Sequence, residues 1–230
     1  VRHVGFSMHD GPEALEEILT AHPEVDFVQL QVNYLDWDDP VTQSARCMEV
    51  AAAHGKPVII MEPVRGGRLA NLPGAAVLAA ADPDASQASW AYRYCLDLPG
   101  VLTVLAGAST LEQMRDNMAT FQSHTPLTDE ERSAIDGAIA ALRSVDLIPC
   151  TNCGYCVKDC PEGVKIPIAM TLLNLERTTE DNEFVKGLYS WQAAEEPASK
   201  CIQCGTCEAM CPQSIDIIDH LAEAVEHFEG

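Results

Sequence analysis

Hydrophobic positions in the first 150 residues alternate between two periods. Short β-branched runs at Val1–Ser7, Phe27–Val32, Val58–Met61 and Val101–Ala106 read as buried strands. Between and after them, Pro12–Thr20, Thr42–His54, Ser86–Leu98 and Leu111–Phe121 carry the three-to-four-residue spacing of amphipathic helices. Gly55 and Pro57 stop the second helix ahead of the third strand. Thr110 stands three residues before Gln113 and Thr128 three before Glu131, each the spacing of a capping box. The second box opens a further helix, Asp129–Arg143, on an Ile135, Ile139 and Leu142 stripe. Four βα units and one extra helix follow. A doubly wound sheet and half of an eightfold barrel share that order, so the pattern alone leaves both open.

Beyond residue 149 the pattern changes. Cys150, Cys153, Cys156 and Cys160 precede Pro161, and Cys201, Cys204, Cys207 and Cys211 precede Pro212, so C-x2-C-x2-C-x3-C-P occurs twice. Three thiolates at this spacing can hold three corners of one [4Fe-4S] cubane, while the fourth, displaced past a longer spacer, reaches a second cluster. Cys211 should then complete the first cluster and Cys160 the second. Structural zinc in four-thiolate sites is the alternative. Gly154 and Gly205 sit where backbone N–H groups approach sulfide. The segment between the runs has helical spacing at Ile168, Leu172 and Leu175. Cys47 and Cys95, isolated in helical sequence, read as buried, inert thiols.

Composition narrows the class. Of 230 residues, 47% are hydrophobic, enough for a proper core. Asp and Glu total 35 against 14 Lys and Arg, a formal charge of −21, so phosphate backbones and anionic lipid surfaces would repel the chain and neither nucleic acid nor membrane is an expected partner. The longest uncharged stretch, Leu98–Leu111, contains Pro99 and falls short of the roughly 20 apolar residues that span a bilayer. No secretory leader pattern is present, and clustered thiols suit a reducing, cytoplasmic setting. Opening at Val1 inside a strand-like run, the chain carries the expectation of further sequence upstream.

The strings Val4-Gly5-Phe6-Ser7-Met8-His9-Asp10, Asp26-Phe27-Val28-Gln29-Leu30-Gln31-Val32-Asn33-Tyr34, Ile59-Ile60-Met61-Glu62-Pro63-Val64-Arg65-Gly66-Gly67 and Leu105-Ala106-Gly107-Ala108-Ser109-Thr110 resemble successive strands of the aldo/keto reductase family. More closely, the chain resembles the iron-sulfur branch that ends in a two-cluster ferredoxin domain, its long inter-run gap being similar to the α-helical ferredoxin module. The resemblance implies an α/β fold: the C-terminal half, strands five to eight, of a (β/α)8 TIM barrel over residues 1–145, then an α-helical ferredoxin-like domain over 146–230. It also implies an oxidoreductase whose parent moves hydride or electrons between NAD(P)H, a small-molecule carbonyl or alcohol and two [4Fe-4S] clusters, with a redox partner protein. In the family the catalytic Asp, Tyr, Lys and His come from strands two to four, so no catalytic residue is assigned here. By similarity, Ser7 and Gln29 would hydrogen-bond the nicotinamide carboxamide, and the segment from Gly107 to Asn117 would hold the adenosine end. Met61 replaces an aromatic ring, and Gly107 and Gln113 replace basic residues, so NAD, NADP and flavin all stay open. A non-catalytic electron-transfer module is the competing reading, and pairing of two half barrels a third. His9, beside Asp10, is expected to cap a loop. Glu62 and Arg65 are expected to form a local ion pair.

Overall fold

The computed structural model describes residues 1–71, 76–144, 146–177 and 182–230. They form two compact units, Val1–Leu142 and Arg143–Gly230. The expected boundary at residue 145 falls on a position outside the described residues.

The first unit is built on four parallel strands, β1 (Gly5–Met8), β2 (Phe27–Gln31), β3 (Val58–Met61) and β4 (Val101–Val104). Helices α1 (Pro12–Ala21), α2 (Ser44–Ala53), α3 (Ala76–Ala81), α4 (Gln87–Leu96), α5 (Leu111–Gln122) and α6 (Asp129–Arg143) connect and follow them. The strands lie in chain order, β1-β2-β3-β4, with no reversal. Such strict order lacks the switch-point reversal of a doubly wound sheet, and helices that connect parallel strands pack back onto the sheet. Accordingly Leu15, Leu19, Cys47, Met48, Ala51, Tyr92 and Cys95 pack against Met8, Val28, Leu30, Val58, Ile60 and Val104 in one core. Full burial of Leu15 and Leu19 contributes about 1.5–3 kcal/mol each. The opposite sheet face presents Ser7, Gln29, Ile59 and Thr103 in register, and Ser7 and Thr103 are exposed. Gly5 is required there because a Cβ would meet the Phe27 carbonyl oxygen at 2.4 Å.

Strand β1 starts at Gly5, not Val1, because β2 begins opposite Gly5 and the preceding residues have no strand beside them. The Val4 N–H is held instead by Asp26 Oδ2 at 2.8 Å. Both capping boxes form: Thr110 Oγ1 accepts the Gln113 N–H at 3.2 Å, and Thr128 Oγ1 accepts the Glu131 N–H at 3.2 Å. Helix α3, an alanine-rich turn and a half, has no apolar stripe long enough to announce it.

The second unit is helical: α7 (Tyr155–Lys158), α8 (Ile166–Glu176), α9 (Asn182–Gln192), α10 (Thr206–Ala209) and α11 (Ile217–Ala224). Its core joins Ile166, Met170, Leu173, Val185, Tyr189, Leu221 and Phe228, and most of the clustered cysteines border it. Two anchors tie the cysteine runs to this core. Asn174 on α8 bonds both the N–H and the carbonyl of Ile148, at 2.8 and 2.9 Å, just before the first run. Before the second run, the Tyr189 hydroxyl accepts the Ala198 N–H and donates to Glu229, both at 2.7 Å. No helix among the described residues is long and apolar enough to cross a membrane.

Candidate functional site

Each cysteine run folds as a loop entering a one-turn helix, and the two loops share backbone geometry. Asn152 and Gln203 have φ of +60° and +57°, and Gly154 and Gly205 both have +77°. Left-handed backbone is cheap for glycine, and nothing lies within 4 Å of a Cβ built at either glycine, so φ rather than crowding selects it. The loops fold back toward each other's helices, which sorts the eight cysteines into two groups. Cys150, Cys153 and Cys156 line one hollow together with Cys211 from the other run. Cys201, Cys204 and Cys207 line a second together with Cys160. Apolar walls close both: Ile166, Pro167, Met170, Ile215 and Ile217 in the first, Val164, Ile166, Ile218 and Leu221 in the second. Among the described residues, no three His, Cys, Asp or Glu side chains come together closely enough to hold a single metal ion.

Electrostatics agree with that grouping. Burial pushes the Cys156 thiol up to about 12, and negative charge on Cys150, Cys153 and Cys211 adds to the rise. The Cys207 thiol is raised by burial as well. Several thiolates in one apolar hollow therefore need cationic charge at their centre, which iron supplies. The donor set, four soft sulfurs beside apolar side chains in each hollow, fits an iron-sulfur cluster. Two contacts to sulfur were not singled out by spacing: the Gln203 N–H donates to Cys201 Sγ at 3.4 Å, and the Cys204 thiol donates to Thr206 Oγ1 at 3.5 Å.

In the first unit, neighbouring strands bring three expected positions together. Gln29 Nε2 donates to Ser7 Oγ at 3.0 Å and reaches Met61 Sδ at 3.3 Å. Further along, Asn117 on α5 donates to the Gly107 carbonyl at 3.2 Å, tying the loop after β4 to the helix that follows. Asp10, beside His9, accepts the Gly11 N–H at 2.7 Å, and burial lowers the His9 pKa.

The expected Glu62–Arg65 pair is corrected. Arg65 Nε meets Asp36 Oδ1 at 2.8 Å, with both side chains buried. Gln31 and Asn33 each donate to Asp36 Oδ2 at 2.7 Å, so three side chains converge on this buried carboxylate. Both Glu62 and Arg65 have positive φ, and this turns their side chains apart. Glu62 Oε2 is left buried without a hydrogen-bond partner, and burial raises the Glu62 pKa. Three residues of separation suggested a local pair; the network spans 34 positions of chain, from Gln31 to Arg65, and only folding assembles it. Cys47 and Cys95 are buried, and burial pushes Cys47 up to about 11.

The aldo/keto reductase family model matches residues 1–140. This chain belongs to the aldo/keto reductase family. A 4Fe-4S dicluster domain model matches residues 149–217, the stretch that holds both cysteine runs. Among solved structures, the chain is similar to the aldo-keto reductase AKR11C1 from Bacillus halodurans, at 26% identity and a TM-score of 0.47 for the apo form and 27% and 0.46 for the holo form. Each likeness covers 60% of this chain and 50% of that one, so the chain spans about half the length of these solved relatives. A search of curated proteins gave no match. An aldo/keto reductase-family domain joined to a dicluster domain carries the vocabulary of oxidoreductase, iron-sulfur and electron transfer.

Proposed function

We propose that this chain is the cluster-bearing half of an iron-sulfur aldo/keto reductase. Its first unit supplies strands five to eight of a (β/α)8 barrel, and its second holds two [4Fe-4S] clusters. The carrying observation is the sorting of eight cysteines into two hollows, each with three members of one run and the fourth of the other. Cys150, Cys153, Cys156 and Cys211 would hold the first cluster, and Cys201, Cys204, Cys207 and Cys160 the second. When bound, the clusters supply one-electron transfer. The protein's part is to exclude water with the apolar walls and to hold the sulfurs at fixed corners.

The half-barrel reading is supported by strands in strict order and by a polar sheet face opposite the helices. On that face Gln29, oriented by Ser7, is placed to bond the carboxamide of a nicotinamide nucleotide, and the Gly107–Asn117 segment to hold the adenosine end. A carbonyl or alcohol substrate, and a redox partner protein in a reducing cytoplasm, complete the proposal. No acid or base of this chain is assigned to proton transfer, so the chain by itself is expected to lack carbonyl reductase activity.

Anaerobic iron and acid-labile sulfide analysis tests the core of this reading, with about eight irons per chain expected. Cys160→Ser should deplete the second cluster and Cys211→Ser the first, seen as loss of one of two paramagnetic signals after dithionite. Two zincs with no acid-labile sulfide would overturn the assignment. Appreciable NAD(P)H-dependent carbonyl reduction by the chain alone would overturn the claim that it lacks the catalytic groups.

A further inference from the structure

Each cysteine run leads through a short turn into a longer helix, the first into α8 at Ile166 and the second into α11 at Ile217. The openings of these helices supply apolar walls to the sulfur sites. Ile215, just ahead of α11, lines the first hollow, and Ile218 lines the second. Ile166 lines both. It is 1% exposed, and its branched Cβ leaves it few rotamers. The backbone around it is pinned as well. The Ile166 N–H donates to the Val164 carbonyl at 2.8 Å, and the Lys165 N–H donates to the Glu196 carbonyl at 3.0 Å, tying the start of α8 to the segment that precedes the second cysteine run.

The polarity of the wall beside an iron-sulfur cluster helps to set its reduction potential, because reduction adds negative charge that polar groups stabilise and apolar ones do not. A wall that serves two sites sets that condition for both, and little water stands in an apolar wall to screen the charge of one site from the other. Resting on the two-cluster reading above, we propose that Ile166 is a positioning residue common to both clusters, the apolar partition across which they are coupled. A change of polarity at this one side chain therefore moves both potentials, whereas the same change at Ile215 acts on the first cluster and at Ile218 on the second. The two sites answer as a pair, and the side chain that joins them lies outside both cysteine runs.

The test is a mediated titration of the anaerobically reconstituted full chain, with dithionite as the electron source, followed by electron paramagnetic resonance. Fully reduced wild type should show spin–spin broadening that is absent at low reduction. Two signals that simply add would overturn the shared partition, and this measurement stands even where a variant fails to assemble its clusters. Ile166→Thr, which keeps a branched Cβ and brings a hydroxyl to the wall, should raise both reduction steps, and Ile166→Val should leave both at the wild-type values. Ile215→Thr and Ile218→Thr should each raise one step, and not the same one. Movement of one step or of neither in Ile166→Thr, at full iron content, would overturn the common role of Ile166 while leaving the two-cluster reading intact. Wild type without iron or acid-labile sulfide would remove that reading itself.

Discussion

The two units carry their chemistry in opposite ways. In the second, each candidate site is local: four cysteines and the apolar side chains beside them all come from one helical unit. In the first, the matching residues lie on separate strands, and Ser7, Gln29 and Met61 meet only because β1, β2 and β3 pair in parallel register. The cysteine unit depends on what its sulfurs would hold, because both cysteine runs border its core and a bound cluster would tie the two runs together. The sheet unit depends on its own packing, with Leu15, Leu19, Val28 and Ile60 fully buried or nearly so. A site whose ligand is part of the core and a site laid over a finished core should therefore fail differently.

Metal removal should produce the largest contrast. Stripping iron from the full chain with a chelator should cost the second unit most of its helix, because binding free energy at such sites is folding free energy. The first unit should persist. Circular dichroism with fluorescence of Trp90, fully buried in the first unit, against Trp191, exposed in the second, separates the two. Coincident loss of both signals would break the comparison.

A smaller effect is expected within the sheet unit. Arg65→Met removes one partner from the buried Asp36–Arg65 pair and leaves an uncompensated carboxylate, at a cost of about 3–5 kcal/mol. Pairing it with Asp36→Leu should recover much of that loss in urea unfolding, while iron content stays at the wild-type value. Recovery would mark the network as structural rather than tied to the clusters.

The smallest effect is one of pH. Burial raises the Glu62 pKa above its ordinary value near 4.5, so the folded state prefers the protonated form. Stability from this group is complete below the unfolded pKa and is lost as pH rises through the folded one. Glu62→Gln, neutral at every pH, should match wild type in mild acid and be the more stable protein at pH 8, measured by urea midpoint. Equal midpoints at pH 8 would show that water or a cation reaches the carboxylate.

Much of this was legible along the chain. The strand-helix alternation placed four strands and both capping boxes because each depends on neighbours three or four residues away. The cysteine spacing went further and raised the expectation that Cys160 and Cys211 exchange, since the reach of a thiolate is set by the few bonds that separate it from the next. Three things resisted. The start of β1 depends on where β2 begins, the partner of Arg65 lies at Asp36 across a strand crossover, and Ile166 gains its meaning only once it is seen to line both hollows.

Residue order by itself thus determined most of the helices and strands, and it raised the expectation that eight thiols in two matching runs form two quartets. Tertiary structure alone decided that the strands run in sequence and that Asp36, not Glu62, forms the ion pair with Arg65. The reason is range: propensity and ligand spacing act over a few bonds, whereas register, burial and the direction of a side chain are settled by atoms that meet only after the chain has closed on itself.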